Sequence, residues 1–194
     1  MKKTIVFFFL IVSVSLFAQN DLKSGIQPFQ KPSEGKSLVY ILKSGAGALV
    51  NFRAFLNDKF LGVLSSDNYI IVECDPGNYL FWATSENRDF IEANLLPNKV
   101  YVLNAEGQMG AFVAGVSFEQ LNPNEKSNKN LFSRKIKNSS AVVYNPNNPS
   151  TDDKAENISK GLAKYEDLKK EKSSKIIQLN SDLYFEDAEK FQKN

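Results

Sequence analysis

Six carboxylates fall between residues 67 and 92: Asp67, Glu73, Asp75, Glu86, Asp89 and Glu92. Two such groups facing each other across a cleft can perform acid–base chemistry on a glycosidic bond without any other catalytic side chain. The same oxygens are hard ligands that suit calcium. Among them stands Cys74, the only cysteine of 194 residues, and the chain has no histidine. That absence removes the side chain most used for proton transfer near neutral pH. With it go serine–histidine and cysteine–histidine hydrolysis and zinc sites built on imidazole.

Position argues against the catalytic reading. Nearly all of the carboxylates lie at turns or on the solvent-side parity of strands, where acids ordinarily serve solubility. No EF-hand loop or Asp-rich repeat supports a calcium site. Cys74 ends the run "YIIVEC", in which Ile70, Val72 and Cys74 share one face and Tyr69, Ile71 and Glu73 the other. A thiol in line with apolar neighbours behaves as a small buried hydrophobe, whereas a reactive one needs a cation or base beside it. The expectation is therefore a buried thiol, no catalytic residue, no cofactor and no metal. A lone cysteine cannot close an internal disulfide, so stability must come from packing.

The elements that carry these residues alternate with a two-residue period. In "KSLVYILKS" Leu38, Tyr40 and Leu42 oppose Val39 and Ile41, the pattern of a strand buried on both sides. "ALVNFRAFL" reads as a half-buried strand, and Asn57-Asp58-Lys59 then marks a hairpin into "FLGVL". Gly62 within that arm signals a bulge or the close approach of another backbone. Asp75-Pro76-Gly77-Asn78 is a structural turn: Pro76 presets φ, Gly77 accepts a positive φ, and Tyr79 opens the following strand. "FIEANLL", "KVYVLNAE" and "AFVAGVSFEQL" continue the pattern. The total is about eight strand-like runs from Lys36 to Leu121, which predicts a mainly β protein, an antiparallel β-sandwich over residues 36–123. Tyr69, Tyr79 and Phe55 sit on surface parity and would suit a ligand patch, but sandwiches bury such residues far more often.

Beyond Pro123 the chain turns polar and charged. Residues 124–194 read as a helical tail: a short helix over 125–137 with Leu131, Phe132 and Ile136, a linker at 138–150, and a second helix capped by Thr151 or Asp152. In the second helix Ile158, Leu162, Tyr165 and Leu168 form one stripe, too narrow for a zipper. Ile176, Ile177 and Leu179 form a brief apolar patch, and "FEDAEKFQK" looks like a last short helix. The tail is expected to dock on its own sandwich or on a partner.

The N-terminal "MKKTIVFFFLIVSVSLFAQN" has two lysines before an apolar run, the layout of a secretory signal over residues 1–18 with the cut between Ala18 and Gln19. An extended leader, 19–35, follows. Export to the periplasm or cell surface of a Gram-negative bacterium is expected, with no transmembrane span after cleavage. Loss of residues 1–18 takes two lysines from a formal charge of +2, so the remainder is neutral. Neutrality and export both argue against a nucleic-acid partner.

The stretches "EGKSLVYILKSG", "FLNDKFLGVL", "CDPGNYLF" and "LLPNKVYVLNAEGQMGAFVAGVSFEQLNP" together resemble the bacterial family called domain of unknown function 2846, over about residues 34–123. The likeness rests on Gly62 and Leu64, on the Pro76-Gly77-x-Tyr79 turn, and on Lys99 to Tyr101 followed by Met109-Gly110. It departs at Lys43, where the family often has arginine. The resemblance implies a small β-sandwich in exported or envelope proteins, often of Bacteroidetes type, and offers no catalytic residue to carry over. The expected function is a non-catalytic envelope module that binds or braces an envelope protein or glycan. The alternative is a carboxylate-based enzyme acting on glycans.

Overall fold

The computed structural model describes residues 27–45, 50–109, 114–147 and 155–191. The secretory signal, the Ala18–Gln19 cut, the first part of the leader, Gly110 and the Thr151 or Asp152 cap lie outside the described residues. Among those described are ten strands and two helices: β1 (Ser37–Gly45), β2 (Phe52–Leu56), β3 (Lys59–Leu64), β4 (Asn68–Cys74), β5 (Gly77–Thr84), β6 (Arg88–Leu95), β7 (Val100–Met109), β8 (Ala114–Gln120), α1 (Lys126–Asn138), β9 (Ser140–Val143), α2 (Ala155–Lys170) and β10 (Ile176–Gln178). They build two five-stranded sheets, one in the order β8-β7-β1-β4-β9 and the other β10-β6-β5-β2-β3. No described helix is long and apolar enough to cross a membrane.

The two sheets face each other over a core that includes Val39, Ile41, Phe52, Ile70, Val72, Cys74, Phe81, Ile91, Leu103 and Phe118. This is the sandwich expected from the alternation, with a correction in its pairing. The sheets are mixed: β7 runs parallel to β1, β9 parallel to β4, and β10 parallel to β6. Parallel neighbours need a long crossover. Here the chain supplies it by passing repeatedly from one sheet to the other, so that β1 and β7 become neighbours after two excursions through the second sheet.

Turn chemistry places those passages. Asn57, at φ 52°, makes the tight reversal between β2 and β3. Their register shifts at Ala54 and Phe55 opposite Gly62, so the glycine marks a bulge. The Asp75 to Asn78 turn carries the chain from the end of β4 in the first sheet to β5 in the second, with Gly77 at φ 143°. It is therefore a corner between layers and not a hairpin.

β1 is a central strand, which explains its unbroken apolar run. Its odd-numbered residues enter the inter-sheet core, while Leu38, Tyr40 and Leu42 point outward into a second cluster with Phe132 and Ile136 of α1. Phe29 of the leader stacks on Tyr40, and Phe185 from the C-terminal segment meets Phe132 edge-on. The outer face of the other sheet carries Phe55, Phe60, Leu80, Trp82 and Phe90, and α2 covers it with Tyr165 and Leu168. The layers thus run helix, sheet, sheet, helix. Each large side chain so buried contributes on the order of 1.5–3 kcal/mol, so the helices are part of the fold.

Three further readings of the tail are corrected. Residues 138–150 are not a plain linker, because Ser140–Val143 adds β9 to the edge of the first sheet. Ile176–Gln178, a brief apolar patch by sequence, adds β10 to the edge of the second. The described part of "FEDAEKFQK", residues 185–191, is not helical: the N–H of Phe185 donates to Val100 O, and just before it Gln120 Nε2 donates to Leu183 O at 2.8 Å. Backbone groups tied to the sheet in this way are not free for helical bonds.

Candidate binding cleft

A concavity of about 800 Å³ opens between the β5–β6 turn and α2. That volume lies inside the range of about 300–1,000 Å³ usual for small-molecule sites. Its first wall is the turn at residues 85–87. Thr84 Oγ1 donates to Asn87 O, and Asn87 bonds Val116 of the facing sheet twice, accepting from its N–H at 2.6 Å and donating to its carbonyl at 2.7 Å. This pair of hydrogen bonds anchors the turn that carries Glu86 and Arg88. The second wall is α2, with Lys160, Lys164, Asp167 and Leu168, and the lining is completed by Ser174 and Lys175 on the approach to β10 and Ile177 within it.

Charge in the cleft is only partly spent. Lys160 pairs with Glu156 at 2.7 Å, and Asp167 lies 4.0 Å from Lys170. Asp89 accepts the N–H of Phe118 at 3.2 Å; burial raises its carboxyl above the ordinary value, against that N–H and the charge of Lys175. Arg88 and Lys164 enter no ion pair among the described residues, and Arg88 Nε is buried without a hydrogen-bond partner.

A second hollow, of about 420 Å³, holds a polar clasp. Tyr165 of α2 donates its hydroxyl to Glu92 Oε1, Gln178 Nε2 of β10 donates to Glu92 Oε2 at 2.7 Å, and Lys169 Nζ donates to the Tyr165 oxygen at 2.9 Å. The Tyr165 hydroxyl, then Gln178, hold the Glu92 carboxyl below its ordinary value. Burial and Glu92 raise the Tyr165 phenol, while Tyr165 raises Lys169. One carboxylate of β6 thereby binds α2 and β10 to the second sheet.

The other sequence candidates also hold structure. Glu73 accepts the N–H and hydroxyl of Ser33, at 2.7 and 3.1 Å, and Asp75 pairs with Lys36 at 2.6 Å, so the two strap the leader down. Asp67 lies in the β3–β4 corner, where its carbonyl accepts the N–H of Ser140 and so helps to seat β9. Glu86 and Asp89 share the Arg88 cleft. Glu92 lines the other hollow. Pro76 and Gly77 form the corner, and Tyr79 is half-buried against the inter-sheet core. Phe55 and Tyr69 are fully buried.

Cys74 is free and only 6% exposed. Burial, followed by Asp75 and Glu73, pushes its thiol up to about 12, with Lys59 opposing. Such a thiol is not a nucleophile at neutral pH. Among the described residues no group of three or more His, Cys, Asp or Glu converges as a metal cage would require.

Arg88, Lys164 and Lys175 are the cleft residues that sequence reasoning missed. For the two lysines the only signal was the basic excess of residues 125–194, 14 Lys and Arg against 11 Asp and Glu, and for Arg88 there was none. No family model matches the chain, and no curated protein matches it.

Proposed function

We propose that this chain is an exported, non-catalytic β-sandwich module of the bacterial cell envelope that binds or braces an envelope partner. The N-terminal lysines and apolar run support export, and the resemblance to domain of unknown function 2846 supports the envelope setting. One observation carries the non-catalytic part: Glu73, Asp75, Asp89, Glu92 and Cys74 are engaged in holding the fold. Glu73 and Asp75 fasten the leader, Glu92 fastens the tail, Asp89 bonds the β8 backbone, and Cys74 is in the core. What remains uncommitted is the Arg88 cleft, a shape and charge suited to binding.

Crosslinking of the full chain in the native envelope, followed by purification, tests this reading. The expected result is a reproducible covalent adduct with one envelope protein or glycan. A chain that stays monomeric and adduct-free there would overturn it. Glycan turnover that is abolished by Asp89→Ala would replace it with carboxylate catalysis.

A further inference from the structure

The hollow at the end of α2 differs from the Arg88 cleft: its charges are spent and its neutral amides are not. Glu92 and Lys169 lie 3.4 Å apart and both bond the Tyr165 hydroxyl, which leaves the lining without net charge. Asn57, Asn78, Asn94 and Gln178 also line it, and all four are exposed to solvent. Asn78 and Asn94 stand directly opposite each other on the outer face of the second sheet, and their side chains have no partner among the described residues.

The other two amides are held in a fixed orientation. Asn57 Oδ1 accepts the N–H of Leu80 at 2.9 Å, so its amide nitrogen is left to donate. Gln178 Nε2 donates to Glu92 Oε2 at 2.7 Å, so its Oε1 is left to accept. With the asparagine pair, the hollow presents donors and acceptors side by side. A hydroxyl both donates and accepts, so this lining fits a neutral polyhydroxylated ligand better than an ion. An extended peptide fits poorly, because strand addition needs an open sheet edge. Here the carbonyls of Glu92 and Asn94 on β6 already accept from the N–H of Leu179 and the hydroxyl of Ser181. Leu80, Ala93 and Leu179 are buried, so an apolar ligand finds little surface.

We propose that this hollow binds a neutral saccharide, with Asn57 donating to one sugar hydroxyl, Gln178 accepting from another, and Asn78 and Asn94 gripping a vicinal pair. The inference rests on the binding-module reading above and names its ligand class. The volume of about 420 Å³ is in the range of small-molecule sites. An acidic sugar is disfavoured, since its carboxylate would meet Glu92 with Lys169 already engaged.

Titration of the full chain with cellobiose, maltose, mannobiose and N,N′-diacetylchitobiose, followed by NMR of the side-chain amides, tests the proposal. At least one of these sugars should bind saturably and shift the amide resonances of Asn78 and Asn94. The same disaccharide with its non-reducing sugar oxidised to the uronate should bind about tenfold more weakly. Asn78→Ala combined with Asn94→Ala removes side chains that hold nothing in the fold, and should weaken binding about tenfold or more. Lys164→Gln with Lys175→Gln, in the Arg88 cleft, should leave it unchanged. No saturable binding of any of these sugars up to about 20 mM, binding indifferent to the asparagine double variant, or a uronate that binds as tightly as its neutral parent would each overturn it. None of those results touches the envelope reading, which is decided by the crosslinking.

Discussion

Gly161 of α2 lies flat against the indole of Trp82: a Cβ built on the glycine would stand 2.4 Å from Trp82 Cη2 and 2.7 Å from Cζ3. Trp82 cannot yield easily. It stacks on Phe55 with ring centroids 3.7 Å apart, and its Nε1 donates to Asn57 O at 2.9 Å. The contact joins a residue of the tail to the centre of a sheet nearly eighty positions earlier.

Gly161→Ala is therefore expected to destabilise the protein, although alanine is the better helix former by about 1 kcal/mol. Overpacking costs about 1–3 kcal/mol, and the rigidity of the indole puts this site toward the upper end. Trp82 is the only tryptophan. Its emission should shift to the red as α2 lifts, and chemical denaturation should show an earlier midpoint.

Tyr165→Phe removes the hydroxyl shared by Glu92 and Lys169, and should cost about 1 kcal/mol. The sign of its pH dependence follows from Glu92. A carboxyl held below its ordinary value stabilises the fold above the unfolded value and loses that contribution as pH falls through the lowered one. The stability gap between the parent and Tyr165→Phe, measured by urea unfolding, should accordingly narrow below about pH 4.

Cys74 should be inert to thiol reagents in the folded protein at pH 8 and should react fully in denaturant. A thiol raised to about 12 binds its proton more tightly when folded, so its contribution is complete below the unfolded value and is lost as pH rises toward 12. Labelling rates across pH 7 to 10 check this, with slow labelling throughout as the expected outcome.

Residues 36–123 alone should not fold into a stable sandwich. Without the tail, Trp82, Phe90, Tyr40 and Tyr69 lose their cover and both sheets lose an edge strand. Expressed alone, this segment should be insoluble or bind a hydrophobic dye. A monomeric, cooperatively unfolding 36–123 fragment would show that the tail is an accessory.

Much of this was legible where local pattern is strong. The unbroken run of β1 announced burial on both faces, Asn57-Asp58 announced a reversal, and the stripe of Ile158, Leu162, Tyr165 and Leu168 announced a docking helix. β9 and β10 were illegible because four and three residues are too short to display a period. Parallel pairing leaves no local mark, since it depends on where the chain travels between strands. The cleft was hidden for a similar reason: Arg88 and Lys175 are far apart in the sequence, and a lysine on a helix face looks the same whether or not an arginine lies across from it.

The account depends on the tail being built into the sandwich, with α2 seated on Trp82 to close the clasp and form the cleft. Nuclear Overhauser contacts between the Gly161 α-protons and the Trp82 ring measure that seating directly. Strong cross-peaks, with the glycine protons shifted well upfield by the indole ring current, are the expected result. Gly161 resonances at random-coil positions with no cross-peak to Trp82 would contradict it.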